Sequence, residues 1–252
     1  MMRFGPAGIP IQCEGGTAEG IECCKQLGLG AMEMEFVRGV KMGDEAAKQA
    51  GKKAKELDIK ISSHAPYYVN LCTSDRVKAE GSKRHIFLAA KATFLANGWI
   101  TVFHPGFYQK LGKEEAFQAA KKRLLEIKEK MDAEKIKCIL GAETVGKKSA
   151  FGGFDENIRL AKELDFVEPV LDFSHLHARR DFLIKGEEEY RKIFSMMEKE
   201  VGDYVNHFHS HFSEINYSEK GELNHIPLDS NSETPFRPLM KVIAENGYSG
   251  TI

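Results

Sequence analysis

Short β-rich runs alternate with longer stretches of helical period from one end of this 252-residue sequence to the other, and that rhythm restricts the fold more than any single residue does. Apolar or β-branched runs occur at Arg3–Phe4 with Ile9–Gln12, then at Ala31–Phe36, Lys60–His64, Trp99–His104, Lys137–Glu143, Val167–Phe173, Tyr204–Phe212 and Gly250–Ile252. Between them, residues 17–27, 44–56, 75–96, 113–131, 155–164, 187–200 and 238–245 carry helical periodicity. Ser74 and the pair Gly43–Asp44 read as helix starts, while Gly28, Gly98 and Gly247 stand where C-terminal caps stand. Strand starts recur roughly every 30 to 45 residues, the spacing of βαβ units feeding a parallel sheet. A doubly wound sheet would show the same alternation. Eight strand-like runs without a glycine-rich turn after the first favour an α/β fold of the closed (β/α)8 TIM-barrel type, as one domain over residues 1–252. The eighth run reaches only Ile252, so the eighth strand and closing helix read as truncated and closure is expected to be partial.

A formal net charge of −1 excludes a globally basic nucleic-acid binder, though not an enzyme that grips phosphates through metal ions. No apolar run reaches the roughly 18 residues of a membrane span. The start, MMRFGPAGIP, lacks the basic and apolar regions of a signal peptide, which predicts a cytoplasmic location. None of the five cysteines (Cys13, Cys23, Cys24, Cys72, Cys138) forms a metal-type CxxC pair, so all five are expected as small buried thiols in a reducing compartment.

In barrel enzymes the reactive side chains gather at the C-terminal ends of the strands. Seven of the nine histidines follow or end a strand-like run: His64, His104, His175, His177, His207, His209 and His211. Glu143 and Asp172 end two more. Each alone reads more simply as a hydrogen-bonded rim residue, and Asp172 as a cap for the segment after it. Parallel strands would bring them into one ring, however, and so many imidazoles and carboxylates in a small space are costly without cations. Nitrogen and oxygen donors without cysteine suit zinc, manganese or iron. His207, His209 and His211 share a face if that stretch is extended, and His175 has the same parity as His177. His85, beside Lys83 and Arg84, reads as a solvated helix residue.

The motifs HAPYYVNL (His64–Leu71), HPG (His104–Gly106), AETVG (Ala142–Gly146) and LDFSH (Leu171–His175) resemble those of the endonuclease IV family, in the same order and at similar spacing. That family consists of zinc-dependent apurinic/apyrimidinic endonucleases. The resemblance implies two or three zinc ions, with manganese or iron as substitutes. His64, His104 and Glu143 match the ligands of the first ion, and Glu143 is the implied catalytic bridge to a second held by Asp172 and His209. His175 matches a ligand of the third. The rest of that site is an Asp-x-His motif in the family, for which GELNHIPLD offers Glu222 and His225 at altered spacing. A glutamate that ends strand eight in the family has no counterpart before Ile252, so the second ion is expected to lack a ligand. Arg38, Tyr67 and Tyr68 occupy positions like those of the family's DNA-inserting side chains. The implied reaction is hydrolysis of the phosphodiester 5′ to an abasic site by metal-activated water, on damaged double-stranded DNA, by a monomer without a membrane partner. The competing readings are a sugar isomerase or epimerase of the xylose-isomerase-like barrels, and a relative that binds DNA without cutting it.

Overall fold

A computed structural model describes residues 1–228 and 234–252. In chain order the elements are α1 (Thr17–Gln26), β1 (Ala31–Glu35), α2 (Asp44–Leu57), β2 (Lys60–His64), α3 (Arg76–Leu95), β3 (Ile100–Phe103), β4 (Gly106–Phe107), α4 (Lys113–Ala133), β5 (Ile139–Glu143), β6 (Ala150–Phe151), α5 (Phe154–Glu163), β7 (Val167–Asp172), α6 (Phe173–Arg179), α7 (Glu187–Val201), β8 (Phe208–His211), β9 (Glu214–Ser218), β10 (Gly221–Ile226), α8 (Phe236–Asn246) and β11 (Gly250–Thr251). A parallel sheet runs β1-β2-β3-β5-β7-β8-β11, with helices in the connections: the fold is the expected α/β barrel.

Four helices begin the same way. Gly16, Gly112, Gly153 and Gly186 are N-caps, and the glutamate three residues on (Glu19, Glu115, Glu156, Glu189) reaches back to accept from the cap's N–H at 2.9 Å. Glycine has no side chain to offer, so only the glutamate half of a capping box forms, aided by the helix dipole. α2 buries Ala47, Ala50, Gly51 and Ala54, a helical face of small residues. A Cβ on Gly51 would stand 2.6 Å from the backbone of Ala96, so these two helical segments approach too closely for any larger residue.

The N-terminal run forms no regular strand, yet it bridges the seam. Arg3 N donates to Gly250 O (2.9 Å), Ile252 N to Arg3 O (3.0 Å) and Gly5 N to Ile252 O (3.0 Å). On its other side Ala31 N donates to Phe4 O, Glu33 N to Pro6 O and Gly8 N to Glu33 O. β11 is as short as the sequence suggests, but the opening expected there is spanned by paired backbone.

Three further expectations are corrected. Cys13 and Cys23 are joined in a disulfide, because a turn folds residue 13 back over α1; only Cys24, Cys72 and Cys138 are buried thiols. Tyr204 and Val205 lie in a 3-10 turn (Gly202–Asn206), so β8 is shorter than the run predicted and His207 precedes it. His175 and His177 lie on α6 rather than on an extended strand, so their shared parity places them on different sides. Among the described residues no helix is long and apolar enough to cross a membrane.

Candidate metal centre

The strand ends converge. Glu143, at the end of β5 and 2% exposed, presents both carboxylate oxygens to histidines from three other strand ends. Its Oε2 lies 2.9 Å from His64 Nε2, at the end of β2, and 2.8 Å from His104 Nε2, just after β3. Its Oε1 lies 2.8 Å from His211 Nδ1, at the end of β8, and 3.7 Å from His175 Nδ1. One ligand atom from each of His64, His104 and Glu143 fits within a sphere of contacts no wider than 4.8 Å, as do Glu143, Asp172 and His175.

The HAPYYVNL loop is built to aim these groups. Asn70 Oδ1 accepts from Cys72 N (2.8 Å) and from Phe107 N (3.1 Å), tying the loop after β2 to the loop that carries His104. A Cβ on Gly106, at φ +138°, would stand 2.2 Å from that Oδ1, so the HPG motif needs its glycine for both conformation and room. Arg123 reaches from α4 to the carbonyls of Leu71 and Thr73 (2.7 Å to the latter). Arg123, in the basic run Lys121–Arg123, therefore serves this loop structurally.

The third grouping joins α6 to the β9–β10 hairpin. Asp172 ends β7 and caps α6, its Oδ1 accepting from His175 N at 2.8 Å. His175 Nδ1 donates to Thr144 O (2.8 Å), which leaves Nε2 as the electron-pair end of a neutral ring. That Nε2 is buried without a hydrogen-bond partner, 3.6 Å from Glu222 Oε2. His225 Nε2 lies 3.9 Å from Glu222 Oε1, and the three residues form another compact donor group. A buried, unpartnered imidazole nitrogen facing a carboxylate fits a metal ligand. The last residue of GELNHIPLD, Asp229, lies outside the described residues.

His209 stands elsewhere than expected. Side chains on one face of a strand are about 6.6 Å apart, and His209 is one pleat deeper than His211. The deeper ring meets Glu33 Oε2 (2.9 Å) and Thr251 Oγ1 (2.5 Å), while His211 is the β8 histidine beside Glu143. His207, before the strand, turns to Glu168 (3.4 Å) at the other end of the barrel.

Electrostatics follow from this crowding. Burial pushes Glu143 and Glu33 upward, but the charge of His211, with His104 beside Glu143 and His209 beside Glu33, outweighs it and holds both well below the usual carboxylate range. Burial depresses His64, yet its contact with Glu143 lifts it to about 9. His104 and His209 are pushed down by burial. Glu35, half-buried and near the Glu33 and Glu143 charges, is raised to about 7, chiefly by its partial desolvation.

Residues 21–252 match the family described as the xylose isomerase-like TIM barrel. The chain belongs to that family. An uncharacterized protein of Methanocaldococcus jannaschii is 38% identical over 256 residues, spanning 100% of this chain and 90% of that one. Among solved structures, a D-tagatose 3-epimerase-like protein superposes with a TM-score of 0.72 at 17% identity, covering 100% of this chain and 90% of its own. IOLI protein with a bound zinc atom gives 0.71 at 15% (99% and 88%), and endonuclease IV from Thermus thermophilus gives 0.70 at 18% (99% and 91%). At these identities the structures establish the fold.

In this xylose isomerase-like barrel the histidine–carboxylate floor opens into a cavity of about 680 Å³. Phe4, Val37, Tyr67, Phe212, Leu228 and Phe236 contribute apolar wall, and no lysine or arginine lines it among the described residues. Tyr67 is 59% exposed at the mouth; Tyr68 stands edge-on to His85, at 5.3 Å between centroids. Exposed Arg38 borders a neighbouring groove that shares Glu35 and Val37 with the cavity. Glu33 and Glu35 belong to none of the strand-end motifs that mark the other site residues. The signal was there: two acids alternating with Met32, Met34 and Phe36 in a strand otherwise apolar have no solvated face to occupy.

Proposed function

We propose that this protein is a metal-dependent phosphodiesterase of the endonuclease IV type, hydrolysing the phosphodiester 5′ to abasic sites in double-stranded DNA. One observation carries the reading: Glu143 joins the His64–His104 pair to the Asp172–His175 pair, with a further His175–Glu222–His225 group alongside, an arrangement suited to more than one ion. Zinc is the best match to these nitrogen and oxygen donors, with manganese or iron as substitutes. Such ions supply Lewis-acid activation of water near neutral pH and neutralise charge on a phosphodiester. Glu143 is assigned the bridge, Asp172 the orientation of His175 through its N–H, and Thr144 O the tautomer of that ring. Tyr67, Tyr68 and Arg38 are assigned contacts to the lesion at the rim, and such contacts favour a site without a base because flipping it out sacrifices less stacking.

The apolar cavity wall favours a second reading, a sugar isomerase or epimerase. Glu35 lines that cavity, and a carboxyl raised to about 7 can both accept and donate a proton near neutrality. The two separate in one experiment. Zinc-loaded protein is incubated with a duplex holding one abasic site, and with ketoses in D2O. Chelator-sensitive nicking on the 5′ side of the lesion is expected. Intact DNA with deuterium entering a ketose would overturn the nuclease in favour of the epimerase.

A further inference from the structure

One pleat below the mouth, a separate cavity of about 30 Å³ lies between β1, β2, β8 and β11, lined by Glu33, Ser62, His209, His211 and Thr251 among others. It exceeds the roughly 10–15 Å³ that one water molecule needs, and it is small enough that a single ion would touch several walls at once. We propose that Glu33, His209 and His211 form a divalent-cation site in this cavity, distinct from the groups around Glu143.

The tautomers lead there. His211 Nδ1 faces Glu143 Oε1 at 2.8 Å, and a carboxylate only accepts, so this nitrogen carries the proton. A metal ligand is a neutral imidazole, and with its proton on Nδ1 the electron pair it offers is on Nε2. That nitrogen stands 2.9 Å from Glu33 Oε1, and neither atom has a hydrogen-bond partner although both are buried. So short and desolvated a gap needs a positive charge, either a second proton on His211 or a cation, and metal titration separates the two. His209 brings a third donor: Nε2 lies 2.9 Å from Glu33 Oε2, and Thr251 Oγ1, 2.5 Å from Nδ1, is placed to accept a proton from the far side of the ring. Ser62 Oγ donates to Glu33 Oε2 at 2.8 Å and sets the plane of the carboxylate. All three ligand atoms lie within 4.8 Å of one another. Two imidazoles and one carboxylate with a fourth position open to water is a donor set for zinc, and for cobalt as its spectroscopic substitute.

His211 touches both Glu33 and Glu143, so the test reads metal content per chain and not turnover. Wild-type, Glu33→Gln and His209→Ala proteins are stripped by chelator, checked for native circular dichroism, and titrated with cobalt(II) while visible absorption and bound metal per chain are followed. Both variants keep every member of the His64–His104–Glu143 and His175–Glu222–His225 groups. The expected result is that each binds one molar equivalent less than wild type and lacks the corresponding part of the d–d absorption. If both bind as many equivalents as wild type, the site does not exist, and a proton on His211 holds the two carboxylates instead. If Glu33→Gln loses an equivalent while His209→Ala retains it, Glu33 acts on the upper ions by orienting His211, and the proposal fails equally. A wild type that takes up no metal at all would remove both this site and the nuclease reading. Equal uptake by all three removes this site alone.

Discussion

Glu143→Gln takes one negative charge out of the point where the strand ends meet and leaves the side chain's outline nearly unchanged. Three contacts depend on that charge, to His64, His104 and His211 at 2.8–2.9 Å. A hydrogen bond to a charged group contributes about 1.5–3 kcal/mol, and breaking one partner of a buried set strands the others. Because the three share one carboxylate they are not independent, so a loss of about 3–5 kcal/mol is expected instead of their sum. At about 1.4 kcal/mol per decade, that lowers affinity for the first ion by about 10²–10⁴-fold. The amide also turns an N–H₂ toward one pair of nitrogens that a ligand geometry needs as electron donors. Nicking of an abasic duplex should therefore fall by at least about 10²-fold at limiting zinc, with bound metal falling in parallel. The fold should persist, because Glu143 ends a strand at the open face and packs no helix against the sheet. Gel-resolved cleavage and metal analysis on the same preparation test this. A variant with wild-type cleavage and wild-type metal content would refute the bridging role.

Asn70→Ala leaves the N–H groups of Cys72 and Phe107 without their acceptor, so a loss of about 1–3 kcal/mol in urea denaturation is expected, with weaker metal retention as the His104 loop loosens. Gly5→Ala would set a Cβ 2.1 Å from the Ala31 carbonyl oxygen, forcing the seam segment outward; a stability loss of about 1–3 kcal/mol is expected, and an unchanged urea midpoint would show that this segment contributes nothing to closure. In chelator-treated protein, stability should fall as pH rises from 6.5 to 9. His64 goes from an ordinary 6.5 to about 9 in the fold, so its contribution is complete below 6.5 and lost through 9. Glu35, raised from 4.5 to about 7, acts in the same direction, because the fold increasingly disfavours its ionised form up to pH 7. A melting temperature that stays level or rises across this window would contradict both assignments.

The alternation of strand and helix was legible because it needs only local chemistry. Periods of two and of 3.6 residues, glycine caps and acidic first turns are written into neighbouring residues, and every long helical pattern from Thr17 to Asn246 has its helix. The convergence of His64, His104 and Glu143 was legible too, since parallel strands place their C-terminal ends in one ring whatever the side chains between them. Depth within the barrel was not. His209 and His211 have the same parity, and only the register of β8 against β7, with Asp172 opposite His211, puts one beside Glu143 and the other beside Glu33. The seam belongs to the same class: Arg3 meets Gly250 and Ile252 across almost the whole chain, and the backbone groups that pair there carry no trace in side-chain pattern. Glu33 marks the boundary between the two. Its presence in an apolar strand announces a buried charge, but which histidines answer that charge is set by neighbours 176 and 178 residues away, brought within 3 Å by closure of the sheet.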